Sequence, residues 1–512
     1  MKNRFLLPAV LSLIALAMSS ARADVKLPAI FSDHMVLQQN ESCALWGWAD
    51  PGEQVTVTIA GKSRSIKAGK DGRWSLKLPE LKAGGPHTLV VQGNNSITIQ
   101  DVLVGEVWLG SGQSNMGWTV AQSQDFEGEK ARANLPQIRM FTVERTAIPT
   151  PQEDCKGRWV VCAPDTVGNF SAALYFHGRE LHAKLGVPMG LINSSWGGTP
   201  IEAWISAPAQ SSPKFAPVHE PWTKQLAQPW DEKKEMAEYE KRVALHKLAA
   251  AKAKKDGKTA PRAPLRPTDP RLSQHRPANL FNGMIAPIAG YTLRGAVWYQ
   301  GESNANKPFA DLYAEQLEAL IQDWRSRWKS DFAFAWVQLP DFKAPQKEPV
   351  EEDGWNIIRE EMLHALKIKN TGMAIALGLG EANDIHPKNK QDVGRRLAAW
   401  ALGDVYGLKG IATSGPLPAG HRIRGGEVVI SFRHTDGGLR ARGGELKGFA
   451  IAGADRKFVW ANARIEGNKV VVWHPDVKDP KAVRYAWAAN PIWSLENGAG
   501  LPASPFRTDQ WK

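Results

Sequence analysis

An α/β fold built on a parallel sheet, with β-rich segments before and after it, is the class the sequence predicts for the bulk of these 512 residues. Three observations carry that prediction. Residues 26–101 are written in short runs that alternate apolar and polar positions, residues 102–409 in apolar runs spaced by helical stretches, and residues after 410 in short alternating runs again. Alternation of period two marks a strand with one solvated face, whereas a strand apolar on both faces belongs in a sheet covered on both sides by helices.

In the first segment, residues 24–101, the runs CALWGWA, EQVTVTIA, RWSLKLP, HTLVVQG and NSITIQD are separated by Gly, Pro, Asn and Asp, the pattern of an antiparallel sandwich. In the second, residues 102–409, DVLVGEVWLG, VPMGLINSSW, RGAVWYQG, FAFAWVQL and GMAIALGLG read as buried parallel strands. Between them SAALYFHGRELHAKLG, FADLYAEQLEALIQDWRSRW, WNIIREEMLHALKI and KNKQDVGRRLAAWALG read as covering helices. An insertion over 213–277 interrupts this domain, helical first and Pro-rich after. EVVISFRH, FAIAGA, FVWANARI and KVVVWHP then predict a C-terminal β domain over 410–512.

Residues 1–23 carry Lys2 and Arg4, an apolar core from Phe5 to Ala17 and the small-residue site Ala21-Arg22-Ala23, the three parts of a cleavable signal peptide. The expectation is therefore a secreted or periplasmic protein with no membrane span after cleavage. Its size provides ample apolar core, so disulfides are not needed for folding; Cys155 and Cys162 are close enough in sequence to close a small loop, and Cys43 is left over. No cysteine has the paired spacing of a zinc site. Net charge is +12, and between Asp231 and Arg276 thirteen Lys or Arg face seven Asp or Glu, so half of that excess lies in the insertion. Basic residues without interleaved aromatics read as a solvated helix face and not as a nucleic-acid surface.

Ligands of open parallel sheets bind beyond the carboxyl ends of the strands. Four strand ends there are polar and Gly-rich: GQSNM after Leu109, SSWGGT after Ile192, QGESN after Tyr299 and EANDIHPKNK after the strand from Met373. Ser114 in the first is either a helix cap or a nucleophile. A serine hydroxyl becomes a nucleophile only beside a base, for which His386 is the candidate, with Asp384 two residues before it to orient the imidazole. Charge developing on a carbonyl oxygen needs preorganised donors, and the N–H groups of Ser114 and Gly198 and the amide of Gln300 are the candidates. Gln113, Asn115, Trp196, Gly197 and Glu302 flank them as candidate substrate-side groups. Trp118, Trp298 and Trp355 join Trp196 as tryptophans near the cleft. His177 and His182 fall in a helical run and read as packing or surface residues, while His34 in FSDHMVLQQ is the second choice of base.

With these blocks in place, the chain resembles the sialate O-acetylesterases, within the SGNH hydrolases. FSDHMVLQQ, GQSNM, WGGTPIEAW, WYQGESNA and DIHPKNKQDVGRRLA carry the resemblance, which spans nearly all of the chain after residue 23. It implies an SGNH-type three-layer α/β/α domain and a serine esterase that removes acetyl groups from sugar hydroxyls without metal or cofactor, with Ser114, Asp384 and His386 as its catalytic group. Two departures stand out: the acid lies two residues before the histidine where SGNH enzymes place it three before, and QGESN has no clear match to the superfamily's third-block asparagine. A sialate substrate carries a carboxylate, for which Arg359 in WNIIREEM is a candidate partner; acetylated xylan or xyloglucan is the other substrate class. A non-catalytic glycan-binding protein, or a serine hydrolase acting on another small ester, is the competing function.

Overall fold

The structure is a computed structural model that describes residues 24–306 and 309–511. The expected signal peptide, residues 1–23, lies outside the described residues. No helix among them is long and apolar enough to cross a membrane.

The N-terminal strands are β1 (Val36–Gln38), β2 (Ala44–Trp48), β3 (Gln54–Ile59), β4 (Lys62–Lys67), β5 (Arg73–Lys77), β6 (Gly84–Gln92) and β7 (Ser96–Gly112). Alternation is plain in β3 and β5, where buried and accessible residues take turns. β2 pairs with β5, while β4, β3, β6, β7 and β1 form a second layer. Residues 101 and 102, where the sequence suggests a boundary, lie inside β7. That one strand runs from the β segment into the centre of the parallel sheet, so its second half is buried at every position.

Beyond β7 come α1 (Ser114–Gly117), α2 (Phe126–Ala131), β8 (Leu135–Thr142), β9 (Trp159–Cys162), α3 (Ala172–Leu185) and β10 (Met189–Ser195). They are followed by α4 (Ala216–Leu226), α5 (Glu232–Lys255), β11 (Gly295–Tyr299), α6 (Tyr313–Trp328), β12 (Ala333–Gln338), α7 (Gly354–His364), β13 (Thr371–Ile375) and α8 (Lys390–Trp400). The sheet order is β13-β12-β11-β7-β10-β8-β9, parallel except for the last pair. The chain leaves β7 toward one side of the sheet and later fills the other, which makes the carboxyl end of β7 the topological switch point.

Successive strand residues serve opposite faces. Leu109, Ile192, Ala296 and Trp336 join one core with α6, α7 and the N-terminal strands, whereas Trp108, Leu191, Val297 and Ala335 join the other with α3 and α8. The two cores also separate the cysteines. Cys162 in β9 belongs to the α3/α8 side and Cys155 packs on the opposite one, and both are free thiols, which corrects the expected disulfide. Burial pushes each thiol up to about 12, so they behave as inert packing groups. In the insertion α5 has no buried residue, in keeping with a solvated helix face, and Leu245 and Leu248 on it are exposed. After α8 two four-stranded antiparallel sheets form, spanning Leu417 to Arg507, joined by a short strand pair.

His177 on α3 is fully buried, edge-on to Trp108 at 4.7 Å, with no partner on either ring nitrogen among the described residues. Burial pushes its imidazole down to about 3, against about 6.5 in an unfolded chain. Between those values the unfolded chain binds a proton the folded chain refuses, so stability is lost as pH falls through that window. At pH 4.5 the loss is about 2 to 3 kcal/mol. His177→Phe should therefore gain stability relative to the parent in urea titrations at pH 4.5 but not at pH 7.5; a gain independent of pH would refute the assignment.

Candidate active site

Three central strands end level with one another: Gly112 of β7 is in register with Ser195 of β10 on one side and Tyr299 of β11 on the other. Gly112 takes φ 133°, and a side chain there would meet the Tyr299 carbonyl oxygen at 2.2 Å, so only glycine lets the chain turn at this point. The turn delivers Ser114 as the first residue of α1. It is half-buried, while Gln113, Asn115 and Met116 around it are buried, so the hydroxyl is what the turn presents. Gly197, after β10, lies so close that a Cβ on it would be 3.3 Å from Ser114 Cβ. Gly198 is exposed in the left-handed region at φ 72°. Among the described residues neither its N–H nor that of Ser114 is bonded, leaving both free for an oxyanion.

The loop after β13 brings His386 to the same rim. The imidazole stacks on Trp118, rings 4.6 Å apart and 10° from parallel, and Trp118 directly follows α1. Asn115 Nδ2 donates to the Ile385 carbonyl at 3.0 Å and to Glu302 Oε1 at 2.5 Å. Lys390 Nζ donates to Asn115 Oδ1 at 2.6 Å and to the Pro387 carbonyl at 2.7 Å. Asp384 Oδ1 accepts the His386 backbone N–H at 2.9 Å and lies 3.6 Å from Nδ1. Burial lowers the His386 pKa, the Lys390 charge lowers it further, and Asp384 opposes both. The imidazole is thus neutral and able to accept a proton at neutral pH.

Several candidates take other roles. Gln300 is fully buried and both its amide hydrogens are used, by the Thr199 carbonyl at 3.2 Å and Asn304 Oδ1 at 2.7 Å, so it is not an oxyanion donor. Asn304 is likewise occupied, by Glu202 and by the Ile201 N–H. Gln113 accepts the Ser303 N–H, so Gln113, Asn115 and Glu302 join strand-end loops from within and do not line the surface a sugar would touch. Trp196 is half-buried at the rim, but Trp298 and Trp355 are core residues and Trp118 stacks on the histidine. Arg359 is fully buried and donates to four backbone carbonyls, of Leu339, Pro340, Ala488 and Ala489, which removes it as a carboxylate partner. His34 pairs with Asp101, about 36 Å along β7 from Gly112 at the usual strand rise, too far to act as base.

One residue was missed. A methyl on Gly117 would lie 3.2 Å from Ser195 Oγ and 3.8 Å from an Arg145 terminal nitrogen. Arg145 is exposed, and none of the described residues bonds its guanidinium. Nothing in VERTAIP distinguishes it from any surface arginine; only the fold brings it to the rim.

Residues 273–402 match the family model described as carbohydrate esterase, sialic acid-specific acetylesterase. The chain is 31% identical to a sialate O-acetylesterase of Rattus norvegicus, over 97% of this chain and 96% of that one. A sialate O-acetylesterase of Homo sapiens is 32% identical over 80% of this chain and 76% of its own. A crystal structure of a carbohydrate acetylesterase from Xanthomonas citri superposes with TM-score 0.80 at 36% identity, covering 95% of this chain and all of the other. The chain belongs to the sialate O-acetylesterase family of carbohydrate esterases.

Proposed function

We propose that this esterase deacetylates its saccharide through an acyl-enzyme on Ser114, and that the saccharide is an O-acetylated sialic acid. The observation that carries the mechanism is the pairing of Ser114, alone half-exposed within a buried turn, with His386, tethered on both sides to that same turn.

In the first half-reaction Ser114 Oγ attacks the acetyl carbonyl carbon as His386 takes its proton. The oxyanion forms against the N–H groups of Ser114 and Gly198. When the intermediate collapses, the C–O bond to the sugar breaks and the sugar oxygen receives that proton. Water, activated by the same imidazole, then attacks the acetyl-serine and releases acetate with Ser114 restored. Asp384 stabilises the imidazolium by charge, since its Oδ1 is 3.6 Å from Nδ1 and is bonded to the backbone N–H. Each of these steps uses only Ser114, His386, Asp384 and the two N–H groups. Residues 1–23 would direct the chain to a secreted or periplasmic location.

Arg145 favours an acidic sugar, because an unpaired guanidinium at the rim would offer a carboxylate a forked, charge-assisted contact. The second reading is a neutral acetylated hemicellulose, xylan or xyloglucan; the bacterial relative at 36% identity is named for carbohydrate at large. Acetate release from 9-O-acetylated sialic acid, compared with release from acetylated xylan and xyloglucan oligosaccharides, decides between them. Sialate should be preferred in kcat/KM, and Arg145→Gln should cut that preference by about tenfold, the worth of one exposed charged hydrogen bond. Preference for the neutral oligosaccharides would establish the second reading.

A further inference from the structure

Lys390 is the first residue of α8 and is fully buried. Both facts are unfavourable to an ammonium, since burial costs it hydration and the positive end of the helix dipole repels it. Its surroundings repay that cost. Besides the two hydrogen bonds to Asn115 Oδ1 and the Pro387 carbonyl, Nζ faces the rings of Tyr299 at 5.4 Å and Trp118 at 5.8 Å. Glu302, bonded to the other end of the Asn115 amide, supplies the balancing carboxylate, and its second oxygen has no partner among the described residues. Ammonium, amide and carboxylate thus form a buried chain.

The places where this chain touches the backbone matter more than its charge balance. Asn115 follows Ser114, while Ile385 and Pro387 stand on either side of His386. The Asn115 amide holds the carbonyl before the histidine, and the Lys390 ammonium holds both that amide and the carbonyl after it. Among the described residues no other hydrogen bond joins α1 to residues 385–387, so these contacts, together with the stacking of Trp118 on His386, fix how far apart the nucleophile and the base sit. The geometry points to Lys390 as a positioning residue that, through Asn115 and Pro387, sets the separation of Ser114 and His386 and holds the imidazole in its proton-accepting form. The inference rests on the Ser114–His386 reading above.

The charged groups around Nζ come from two segments: Glu302 after β11, and Glu381, Asp384 and His386 in the loop before α8. Burial lowers the Lys390 pKa to about 7, with Glu302, Asp384 and Glu381 pulling it upward. Its charge lowers that of His386, and Asp384 raises it. Removing the ammonium therefore raises the pH at which His386 becomes protonated.

The test compares the full chain with Lys390→Met, which keeps the stem, and with Lys390→Met/Glu302→Gln, which leaves no buried charge uncompensated and serves where the single variant does not fold. Hydrolysis of p-nitrophenyl acetate is followed from pH 4.5 to 9, with Ser114→Ala alongside. The folded variant should lose about 10²-fold in kcat, the usual effect of a small misplacement of reacting groups. The acid limb of its kcat/KM profile should move to higher pH by half a unit or more. Parent-like kcat, or a lower kcat with the acid limb in its parental place, would overturn the proposal, the second outcome leaving Lys390 a purely structural part. Ser114→Ala separates the two readings: if it is as active as the parent, the nucleophile is wrong, whereas an inactive Ser114→Ala beside a parent-like lysine variant condemns the lysine alone.

Discussion

Ser114→Ala will fold as the parent does and release acetate about 10⁴-fold more slowly or worse, the loss that follows when one member of a concerted serine–histidine pair is removed. Folding is spared because the side chain is half-exposed and its Oγ bonds none of the described residues, while the turn is set by Gly112, by the Gln113 N–H on the Tyr299 carbonyl and by Asn115. What survives is the binding and oxyanion contribution of the N–H groups of residues 114 and 198, which an alanine retains. Melting temperature and burst kinetics on p-nitrophenyl acetate read the two halves separately. An alanine variant with the parent's burst of nitrophenol would show that the acyl group goes elsewhere.

Much of this was legible in the chain, and the reason is periodicity. Parallel strands buried on both faces and amphipathic helices leave signals that survive without tertiary context, so β7, β10, β11, β12 and β13 fall where the apolar runs stand. The strand-end rule then pointed to one rim for Ser114, Gly197, Gly198 and His386, where the structure brings them together, because it needs only the order of elements and residues of unusual polarity. Roles that depend on what a side chain meets were not legible. Gln300 looks like a donor from its place after β11, yet it points into the interior, where the Thr199 carbonyl and Asn304 Oδ1 already take its amide hydrogens. Trp118 looks like a sugar platform and is a platform for the imidazole. Cys155, in the loop before β9, and Cys162, in β9, are near in sequence but pack into different cores, a separation invisible in spacing. Lys390 drew no notice because a lysine at the start of a helix is ordinarily in water.

Arg359 shows the same gap most sharply, and its replacement should produce the largest loss of stability. Nε donates to the Leu339 carbonyl at 2.9 Å, Nη1 to Ala488 at 2.9 Å, and Nη2 to Pro340 at 2.6 Å and Ala489 at 3.0 Å. Two of these acceptors follow β12 and two belong to the C-terminal β segment, so one guanidinium joins the sheet to the strands beyond α8. Burial lowers its pKa to about 10 while the charges of Asp341 and Asp353 oppose the fall, so it remains a cation at neutral pH. Arg359→Met would leave the buried carbonyls of Leu339 and Ala488 without a donor, since Trp355 Nε1 still serves Pro340 and the Phe342 N–H still serves Ala489, and would leave Asp341 without its balancing charge, a deletion that costs about 3 to 5 kcal/mol. Hydrogen exchange should quicken first in residues 482–489 and 339–341, where the lost bonds were, and the melting temperature should fall. The ratio of kcat/KM for sialate over neutral oligosaccharides, per folded molecule, should hold, because the side chain lies away from the rim. A variant as stable as the parent that had lost only its affinity for sialate would place this arginine in the cleft and overturn its role as an internal tie.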